Sequence, residues 1–188
     1  DVIKVERLPN GDGTRGFVPP DVKGESAAFM MLNRGKRGVA VDLRSEEGRA
    51  VVRRLVKDAD VIIENFRAGT MEKMGLGYDD LSAINEKLVY CQITGFGSTG
   101  PMSNRGGFDL IAQGYSGLMS VTGEGPGRAP VKVGAPVTDI TAGILAALGV
   151  VSALFERERT GKGQHVDTSL FEAGITQTFW QSAIALAS

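Results

Sequence analysis

The chain has 188 residues, of which 42% are hydrophobic and 23% charged, and these proportions are ordinary for a soluble globular domain with its own core. The formal net charge of −1 provides no global field that would favour nucleic acid or an anionic membrane, so we expect neither as a partner. Residues 1–57 carry a local excess of positive charge. This excess suits a phosphate-bearing ligand or, alternatively, a solvated helix face.

The chain has one cysteine, Cys91, and one histidine, His165. An intrachain disulfide and a metal site built from several Cys or His side chains are therefore excluded within this sequence. Cys91 lies in an apolar run and is predicted to be buried, whereas His165 is predicted to be structural or at the surface. The apolar stretch 140–155 is shorter than the roughly 18 residues of a membrane span and has charged flanks, so it predicts a buried helix.

The first half of the chain alternates between strand and helix patterns. A Pro- and Gly-rich stretch, 8–28, predicts a long loop. Strands are predicted at 2–5, 39–43, 60–64 and 88–93, with a helix from Ser45 and short helices at 69–74 and 79–86 between them. This β-α-β-α-β order predicts a parallel sheet with helices on its faces, which is an α/β fold.

The second half contains two glycine-rich loops and longer helices. The pattern predicts a loop at 94–101, a helix at about 108–119, a loop at 122–127, a helix at 139–157, a strand at 164–168 and a final apolar helix from Ser169. A strand pattern at one end and an apolar helix at the other run to the chain ends, so we expect the fold to be incomplete at both ends.

The glycine-rich loops do not have the features of common nucleotide-binding motifs. Residues 95–100 have the glycine spacing of a P-loop, but Pro101 and Met102 stand where Lys and Ser or Thr are required. Residues 123–127 resemble a dinucleotide fingerprint, but Pro126 and Pro130 forbid the helix that should receive the pyrophosphate. A dehydrogenase is therefore disfavoured.

Asp139 is the carboxylate with the greatest chemical interest, because it stands at the start of the long apolar helix. One interpretation is a helix N-cap, which is a common position for Asp. The other is a nucleophile that the helix dipole keeps ionised and that apolar neighbours leave poorly hydrated. Small residues around it, Ala135, Ala142 and Gly143, would let a substrate approach. The two interpretations are compatible.

Two further segments combine residue types that bind phosphate or extended ligands. The basic stretch 33–37 is interpreted as surface charge or as a phosphate site. Residues 64–67 follow the most apolar predicted strand, and open α/β sheets bind ligands at the carboxyl ends of their strands. An amide, an aromatic ring and a guanidinium at such an end suit an adenine or a pantetheine arm.

Six segments carry a resemblance to a known family, and they come in the order of that family. They are residues 1–6, 33–37, 59–66, 74–78, 94–101 and 160–164. Together they resemble the family III CoA-transferases, which include formyl-CoA transferase, carnitine CoA-transferase and α-methylacyl-CoA racemase. The resemblance implies a Rossmann-like parallel sheet with flanking helices, of which residues 1–188 are a partial large domain, with a linker to a small domain beginning near 180–188.

The resemblance also implies an activity, a site and an assembly. Coenzyme A would move from an acyl-CoA to a carboxylic acid through an aspartyl thioester on Asp139, with no cofactor or metal beyond CoA itself. The residues that match CoA-binding positions are Arg7, Val41, Arg44, Asn65, Phe66, Lys73 and Arg105. Backbone N–H groups of residues 95–97 are predicted to stabilise the oxyanions. The family further implies an interlocked homodimer and a cytoplasmic location, or the mitochondrial matrix in a eukaryote.

One departure from the family separates two activities. The racemase branch resembles Gly-His-Asp where this chain has Gly107, Phe108 and Asp109. A racemase needs acid–base groups on both faces of the α-carbon, and Phe108 cannot exchange a proton. Transferase chemistry is therefore favoured, while a racemase and a catalytically inert CoA-binding module remain the alternatives.

Overall fold

The computed structural model describes residues 1–125 and 127–187. Pro126, on which the argument against a dinucleotide fingerprint partly rests, lies outside these residues. By their internal contacts the residues form two compact units, Asp1–Leu55 and Val56–Ser188.

The first unit is built on a pair of parallel strands. Its elements are β1 (Ile3–Arg7), β2 (Asp21–Val22), β3 (Glu25–Ser26), α1 (Ala27–Leu32), β4 (Arg37–Val41) and α2 (Glu46–Val56). β1 pairs with β4 in parallel, and the register sets Arg7 opposite Val41 at the carboxyl ends of both strands. β2 and β3 form a short antiparallel hairpin inside the stretch that the sequence predicts to be loop.

Ion pairs fold this predicted loop back onto β1. Arg15 donates to Glu6 at 2.9 Å, and Lys4 forms an ion pair with Asp12. The guanidinium of Arg15 also lies 3.9 Å from the ring centroid of Phe29 in α1. Partial burial alone would raise the pKa of Asp12, but hydrogen bonds from Lys4 and Thr14 outweigh it and lower this pKa to about 2.

The second unit is a three-stranded parallel sheet with helices around it. Its elements are β5 (Val61–Glu64), α3 (Thr70–Lys73), α4 (Tyr78–Ser82), β6 (Val89–Thr94), α5 (Asp109–Tyr115), α6 (Val137–Thr160), β7 (His165–Ser169), α7 (Leu170–Gln177) and α8 (Phe179–Ala187). The strand order is β5-β6-β7, with Val61 opposite Val89 and Thr94 opposite Ser169. The predicted parallel pairing is confirmed, although the strands form separate sheets in the two units rather than one.

The core of the second unit lies between α6 and the sheet. The buried face of α6 consists of small or β-branched residues, and Ala146, Val150 and Ala153 pack against Val89 and Cys91. Cys91 is fully buried as predicted, and this burial raises the pKa of its thiol to about 11.

The prediction that 140–155 is a buried helix is wrong for one of its faces. Ile144, Leu148 and Phe155 point away from the core and are exposed. α6 is also long and apolar enough to cross a membrane by length and composition, although its small-residue face packs against β6 and β7. The periodicity misleads because both faces are apolar, a pattern that normally indicates burial all round.

Two other predictions need correction. The strand at 60–64, whose apolar sequence predicts burial, is not buried along its whole length, since Ile63 is 62% exposed. The final apolar helix is two helices, because the chain leaves helical geometry at Thr178, where α7 ends and α8 follows. The fully buried hydroxyl of Thr178 donates to the carbonyl oxygen of Ser116, which ties this break to the residue after α5.

Two glycines of α6 provide a test of how closely this helix packs on the sheet. A Cβ added at Gly149 would lie 2.7 Å from Cγ1 of Val166, whereas a Cβ at Gly143 would meet nothing within 4 Å. We expect Gly149→Ala to lower the free energy of unfolding by about 1–3 kcal/mol through overpacking. Gly143→Ala should raise it by about 0.5–1 kcal/mol, since alanine favours the helix. Urea unfolding of both variants measures the difference, and equal shifts would contradict the close packing.

Candidate active site

The candidate site lies at the carboxyl ends of β5, β6 and β7. A short turn, 161–164, connects the end of α6 to the start of β7, and α6 packs against both β6 and β7. The first residues of α6 therefore lie at the end of the sheet where β7 finishes. Because 24 residues of helix are about 36 Å long and β7 has five residues, α6 extends well beyond the strand. Its first turns therefore lie beside α5 and α7, at the edge where α/β sheets bind ligands.

The start of α6 is held by a carboxylate from another helix. Its N-cap residue, Pro136, makes no side-chain capping bond. Instead Oδ1 of Asp109 accepts hydrogen bonds from the backbone N–H of Thr138 at 2.9 Å and from its hydroxyl at 2.8 Å. Asp139 is the third residue of the helix, so its interpretation as the N-cap is wrong. Asp109 performs the capping from α5.

A buried glutamine fixes Asp109 in turn. Nε2 of Gln113 donates to Oδ2 of Asp109 at 2.7 Å, and Oε1 of Gln113 accepts from the backbone N–H of Val133 at 2.8 Å. Gln113 is fully buried. One set of hydrogen bonds thereby joins the first turn of α5, the segment before α6 and the first turn of α6.

Asp139 itself is exposed at the surface of this arrangement. Neighbouring protein atoms remove part of its hydration and raise the pKa of its carboxyl above the ordinary value, and the nearby charge of Asp109 raises it further. Space is open one turn along the helix, because a Cβ at Gly143 would meet no atom within 4 Å. A ligand can thus reach the carboxylate of Asp139.

A buried carboxylate, that of Glu64, positions the residues after β5. Glu64, the last residue of β5, is 6% exposed, and its Oε2 accepts the backbone N–H of Phe66 at 2.7 Å. Burial raises the pKa of Glu64, opposed by this hydrogen bond. Its Oε1 and the hydroxyl of Tyr90 are both buried without a hydrogen-bond partner among the described residues. Asn65 and Phe66 are exposed just beyond this turn.

The loop after β6 is packed tightly against the segment before α5. A Cβ at Gly95 would lie 2.5 Å from the backbone nitrogen of Gly107, so the two backbones approach too closely for a side chain. The N–H of Gly97 donates to Oγ1 of Thr94 at 2.8 Å, and Ser98 bonds to Asp167 through its hydroxyl and its N–H. The Gly97 N–H is therefore already occupied, which contradicts its predicted part in stabilising an oxyanion.

Two arginines lie beside this loop. A Cβ at Gly106 would be 3.2 Å from Nε of Arg67, so the guanidinium next to Phe66 lies against the loop. The neighbouring Arg105 donates to the hydroxyl of Tyr115 at 3.3 Å and is exposed. The structure thus brings Asn65, Phe66 and Arg105 to the same edge as Asp139. Lys73 is exposed at the end of α3, where its side chain makes no hydrogen bond or ion pair with the described residues.

Within the first unit, Arg7 and Val41 are neighbours at the carboxyl ends of β1 and β4. Arg7 borders an open cavity of about 400 Å³ and donates to the carbonyl of Gly11 at 3.2 Å. Val41 is buried, whereas Arg44 is exposed and forms an ion pair with Asp42 at 3.0 Å. This pair lowers the pKa of Asp42, so a ligand phosphate would compete with Asp42 for Arg44.

The basic stretch 33–37 is divided between local structural contacts and solvent. Asn33 ends α1 and bonds to Lys4 and to the carbonyl of Phe29, and Arg37 forms an ion pair with Asp1. The two remaining cations, Arg34 and Lys36, are exposed without ion pairs in the described part of the chain. These contacts favour the surface-charge interpretation of this stretch.

His165 is exposed at the start of β7 and stacks on Tyr78 with ring centroids 5.3 Å apart, which agrees with a structural or surface position. Among residues 1–125 and 127–187 no group of three or more His, Cys, Asp or Glu side chains is arranged to hold a metal ion.

Comparison with known proteins identifies the family. A sequence model described as CoA-transferase family III matches residues 1–188. The chain belongs to this family. A succinate–glutarate CoA-transferase of Agrobacterium fabrum is 48% identical over 178 residues, covering 92% of this chain and 44% of that protein. An acetyl-CoA:oxalate CoA-transferase of Acetobacter aceti is 41% identical over 185 residues, covering 97% of this chain and 46% of that protein.

Solved structures of this family share the fold. The crystal structure of a CAIB/BAIF family protein from Brucella suis superposes with a TM-score of 0.92 at 52% identity, covering 100% of this chain and 50% of that one. The chain thus spans about half the length of the relatives it matches. The α/β fold and the family resemblance expected from the sequence are both confirmed.

Sequence reasoning missed the residues that hold the site together. The sequence marks Asp109 only through the departure from the racemase branch, Gln113 only as part of a helix pattern, and Glu64 only as part of a strand pattern and of the segment 64–67. Asp109 and Thr138 are 29 positions apart in the chain. Periodicity does not encode such a contact. The local signal is that Pro136 has no capping side chain, so another residue must accept hydrogen bonds from the backbone N–H groups at the start of α6.

Glu64 gives a prediction about the pH dependence of stability. Since the folded state raises its pKa, the folded chain holds the proton more tightly than the unfolded chain. The stability gained from this tighter proton binding is fully present below the ordinary pKa of Glu64. It is lost as the pH rises through the raised pKa of Glu64 in the folded chain. We expect wild type to lose stability relative to Glu64→Gln over this window, by about 1.4 kcal/mol for each unit of pKa shift. Urea unfolding between about pH 4 and 8 tests this.

The matched control is Glu158→Gln, which neutralises an exposed carboxylate of the same unit. Its unfolding curve should stay parallel to that of wild type over the same pH range. Parallel curves for Glu64→Gln as well would contradict a raised pKa at Glu64.

Proposed function

We propose that this chain is part of an enzyme that transfers coenzyme A from an acyl-CoA to a carboxylic acid, with Asp139 as the nucleophile. The observation that carries the proposal is the exposed Asp139 carboxylate in the first turn of α6, at the carboxyl edge of the β5-β6-β7 sheet. The CoA-transferase names of the family relatives support the reaction class.

The proposed chemistry needs a carboxylate and no redox partner. An oxygen of Asp139 attacks the thioester carbon of the donor, the C–S bond breaks, and CoA leaves as a thiolate. The thiolate attacks the carboxyl carbon of Asp139 in the mixed anhydride, which releases the donor acid and leaves an aspartyl-CoA thioester. The acceptor carboxylate then repeats these two steps in reverse, so CoA ends on the acceptor and Asp139 is regenerated. The covalent intermediate divides one difficult exchange into easier ones.

Two features of Asp139 support this role. Its raised pKa makes the ionised carboxylate more basic, and hence a better nucleophile, than an ordinary surface aspartate. The open space beside Gly143 leaves room for a thioester one helical turn away. CoA is the substrate that carries the reactive group, and the proposal requires no further cofactor.

The proposed CoA contacts are the positions that match the family's CoA-binding residues. Arg7, Val41 and Arg44 are proposed to meet the nucleotide end. Asn65 and Phe66 are proposed to lie along the CoA arm, and Lys73 and Arg105 are proposed to meet the CoA phosphates. The relatives are named for succinate, glutarate and oxalate, and on that basis we propose a dicarboxylic acid as donor or acceptor.

Two alternatives differ in what they require of the site. A racemase needs a proton-exchanging group that Phe108, which is 81% exposed and hydrocarbon, cannot supply. A catalytically inert CoA-binding module needs no reactive group at position 139. Phe108 therefore disfavours the racemase, and the accessible carboxylate of Asp139 favours the transferase over the inert module.

We also propose the assembly and location that the family implies. Exposed apolar residues on α6 and α8, such as Leu148, Phe155 and Trp180, support an interlocked homodimer in which other parts of the protein cover them. The chain would form part of the large domain of each subunit, in the cytoplasm or, in a eukaryote, the mitochondrial matrix.

The nucleophile is tested by trapping the covalent intermediate. The intact protein is incubated with succinyl-CoA, glutaryl-CoA and acetyl-CoA, quenched with hydroxylamine, and mapped by mass spectrometry. We expect a hydroxamate at Asp139 in wild type, and a loss of kcat of at least about 10³-fold in Asp139→Asn, as when other enzymic nucleophiles are removed. Binding of CoA without modification of Asp139 would exclude this mechanism. Deuterium wash-in at the α-carbon of a 2-methylacyl-CoA would then identify a racemase.

The nucleotide contact at Arg7 is tested by its effect on binding. Because a guanidinium packed on the CoA adenine contributes about 0.5–2 kcal/mol, Arg7→Ala should raise the KM for acyl-CoA by roughly 2- to 30-fold with little change in kcat. Arg34→Ala removes the same charge from an exposed position of the same unit and is the matched control. Equal effects of the two variants would show that only net charge matters.

A further inference from the structure

We infer that Asp109 is a positioning residue for the transfer reaction: it fixes the first turn of α6 and so places the Asp139 carboxylate for attack on the thioester. This inference rests on the proposed function. Asp109 does not need to touch the substrate, since it acts through Thr138, the residue directly before Asp139.

The contacts of Asp109 leave its carboxylate little freedom. One oxygen accepts from both the N–H and the hydroxyl of Thr138, and the other accepts from Gln113. Thr138 and Gln113 are both fully buried. Three hydrogen bonds to a single carboxylate, from partners that cannot turn into solvent, fix the position of the helix start relative to α5.

The start of α6 has no equivalent support of its own. Pro136 offers no side-chain acceptor, and the backbone N–H of Thr138 would otherwise be buried without a partner among the described residues. Loss of Asp109 should therefore loosen the turn that contains Asp139, and a displacement of about 1 Å at a reacting group can cost roughly 10²-fold in rate.

The surroundings of Asp109 also explain why a neutral replacement is not equivalent. In Asp109→Asn the amide oxygen can still accept from Thr138, but the amide nitrogen then faces Nε2 of Gln113, a donor. Gln113 cannot simply rotate, because its Oε1 accepts the N–H of Val133 at 2.8 Å. We expect Asp109→Asn to be impaired, though less than Asp109→Ala.

The test compares these two variants with Asp80→Asn in the intact protein. Asp80 is the matched control because its carboxylate accepts the backbone N–H of Gly77 at the start of α4, the same kind of contact at a different helix. The rate of Asp139 modification by succinyl-CoA and the KM for succinyl-CoA are measured by mass spectrometry and steady-state kinetics. Amide hydrogen exchange of residues 137–141 is measured alongside.

We expect Asp109→Ala to slow Asp139 modification by roughly 30- to 100-fold while KM changes less than about threefold, because orientation and not binding is lost. The Thr138 amide should exchange at least about tenfold faster. In Asp109→Asn the rate of Asp139 modification should still fall at low pH, but this fall, the acid limb of the pH–rate profile, should occur at a lower pH than in wild type. Among the described residues Asp109 is the charged group that raises the pKa of Asp139, and a purely structural cap would leave that limb unchanged.

Each other outcome has a distinct meaning. Modification at the wild-type rate in Asp109→Ala, or an equal loss in Asp80→Asn, overturns the positioning role while the transferase stands. If wild type is never modified at Asp139, the proposed function fails, and an unchanged Thr138 exchange rate then overturns the capping as well. Should Asp109→Ala not fold, Thr138→Val, which removes only the hydroxyl contact, is expected to slow modification roughly three- to tenfold, and a wild-type rate contradicts the inference.

Discussion

α6 lies against β6 and β7 mainly through small side chains, and the geometry of the second unit depends on this contact. Ala142, Ala146, Gly149 and Ala153 occur along one face, and at Gly149 even a methyl group would press on Val166. A helix can approach a sheet closely only where its side chains are small. These small residues therefore set the distance of α6 from the sheet and the direction of its axis. That direction carries the first turns of the helix beyond the strand ends, where a ligand can reach them.

The same edge of the sheet is shaped by a second close approach. The backbones around Gly95 and Gly107 are too near for any side chain, and this contact holds the segment that leads into Asp109 beside the end of β6. Asp109 then reaches the start of α6 through Thr138. The position of Asp139 thus follows from two packing constraints and one carboxylate that is hydrogen-bonded to buried partners, all in segments distant along the chain.

Because the position of Asp139 depends on contacts between distant segments, the sequence predicts some features of the structure and not others. Strands, helices and parallel pairing depend on local patterns, and they agree with the structure to within a few residues for β5, β6 and α6. Asp139 is predictable because it stands at the start of an apolar helix. The sequence does not predict the cap of that helix, since the partner at Asp109 comes from another element. The hairpin of β2 and β3 is not predictable because strands of two residues have no periodicity, and the exposed face of α6 differs from the prediction of burial because the helix is apolar on both sides.

The carboxylate of Asp109 affects the pKa of Asp139 as well as holding the start of α6. A neutral Ser or Asn is an equally good helix cap in general and would place no like charge near Asp139. Asp109 instead raises the pKa of Asp139, adding to the effect of partial burial. A helix N-terminus favours the ionised form of an acid in its first turn, so a negative neighbour opposes the field of α6 itself. Under the proposed mechanism this opposition is useful, because an ionised carboxylate that is more basic than usual is the better nucleophile toward a thioester.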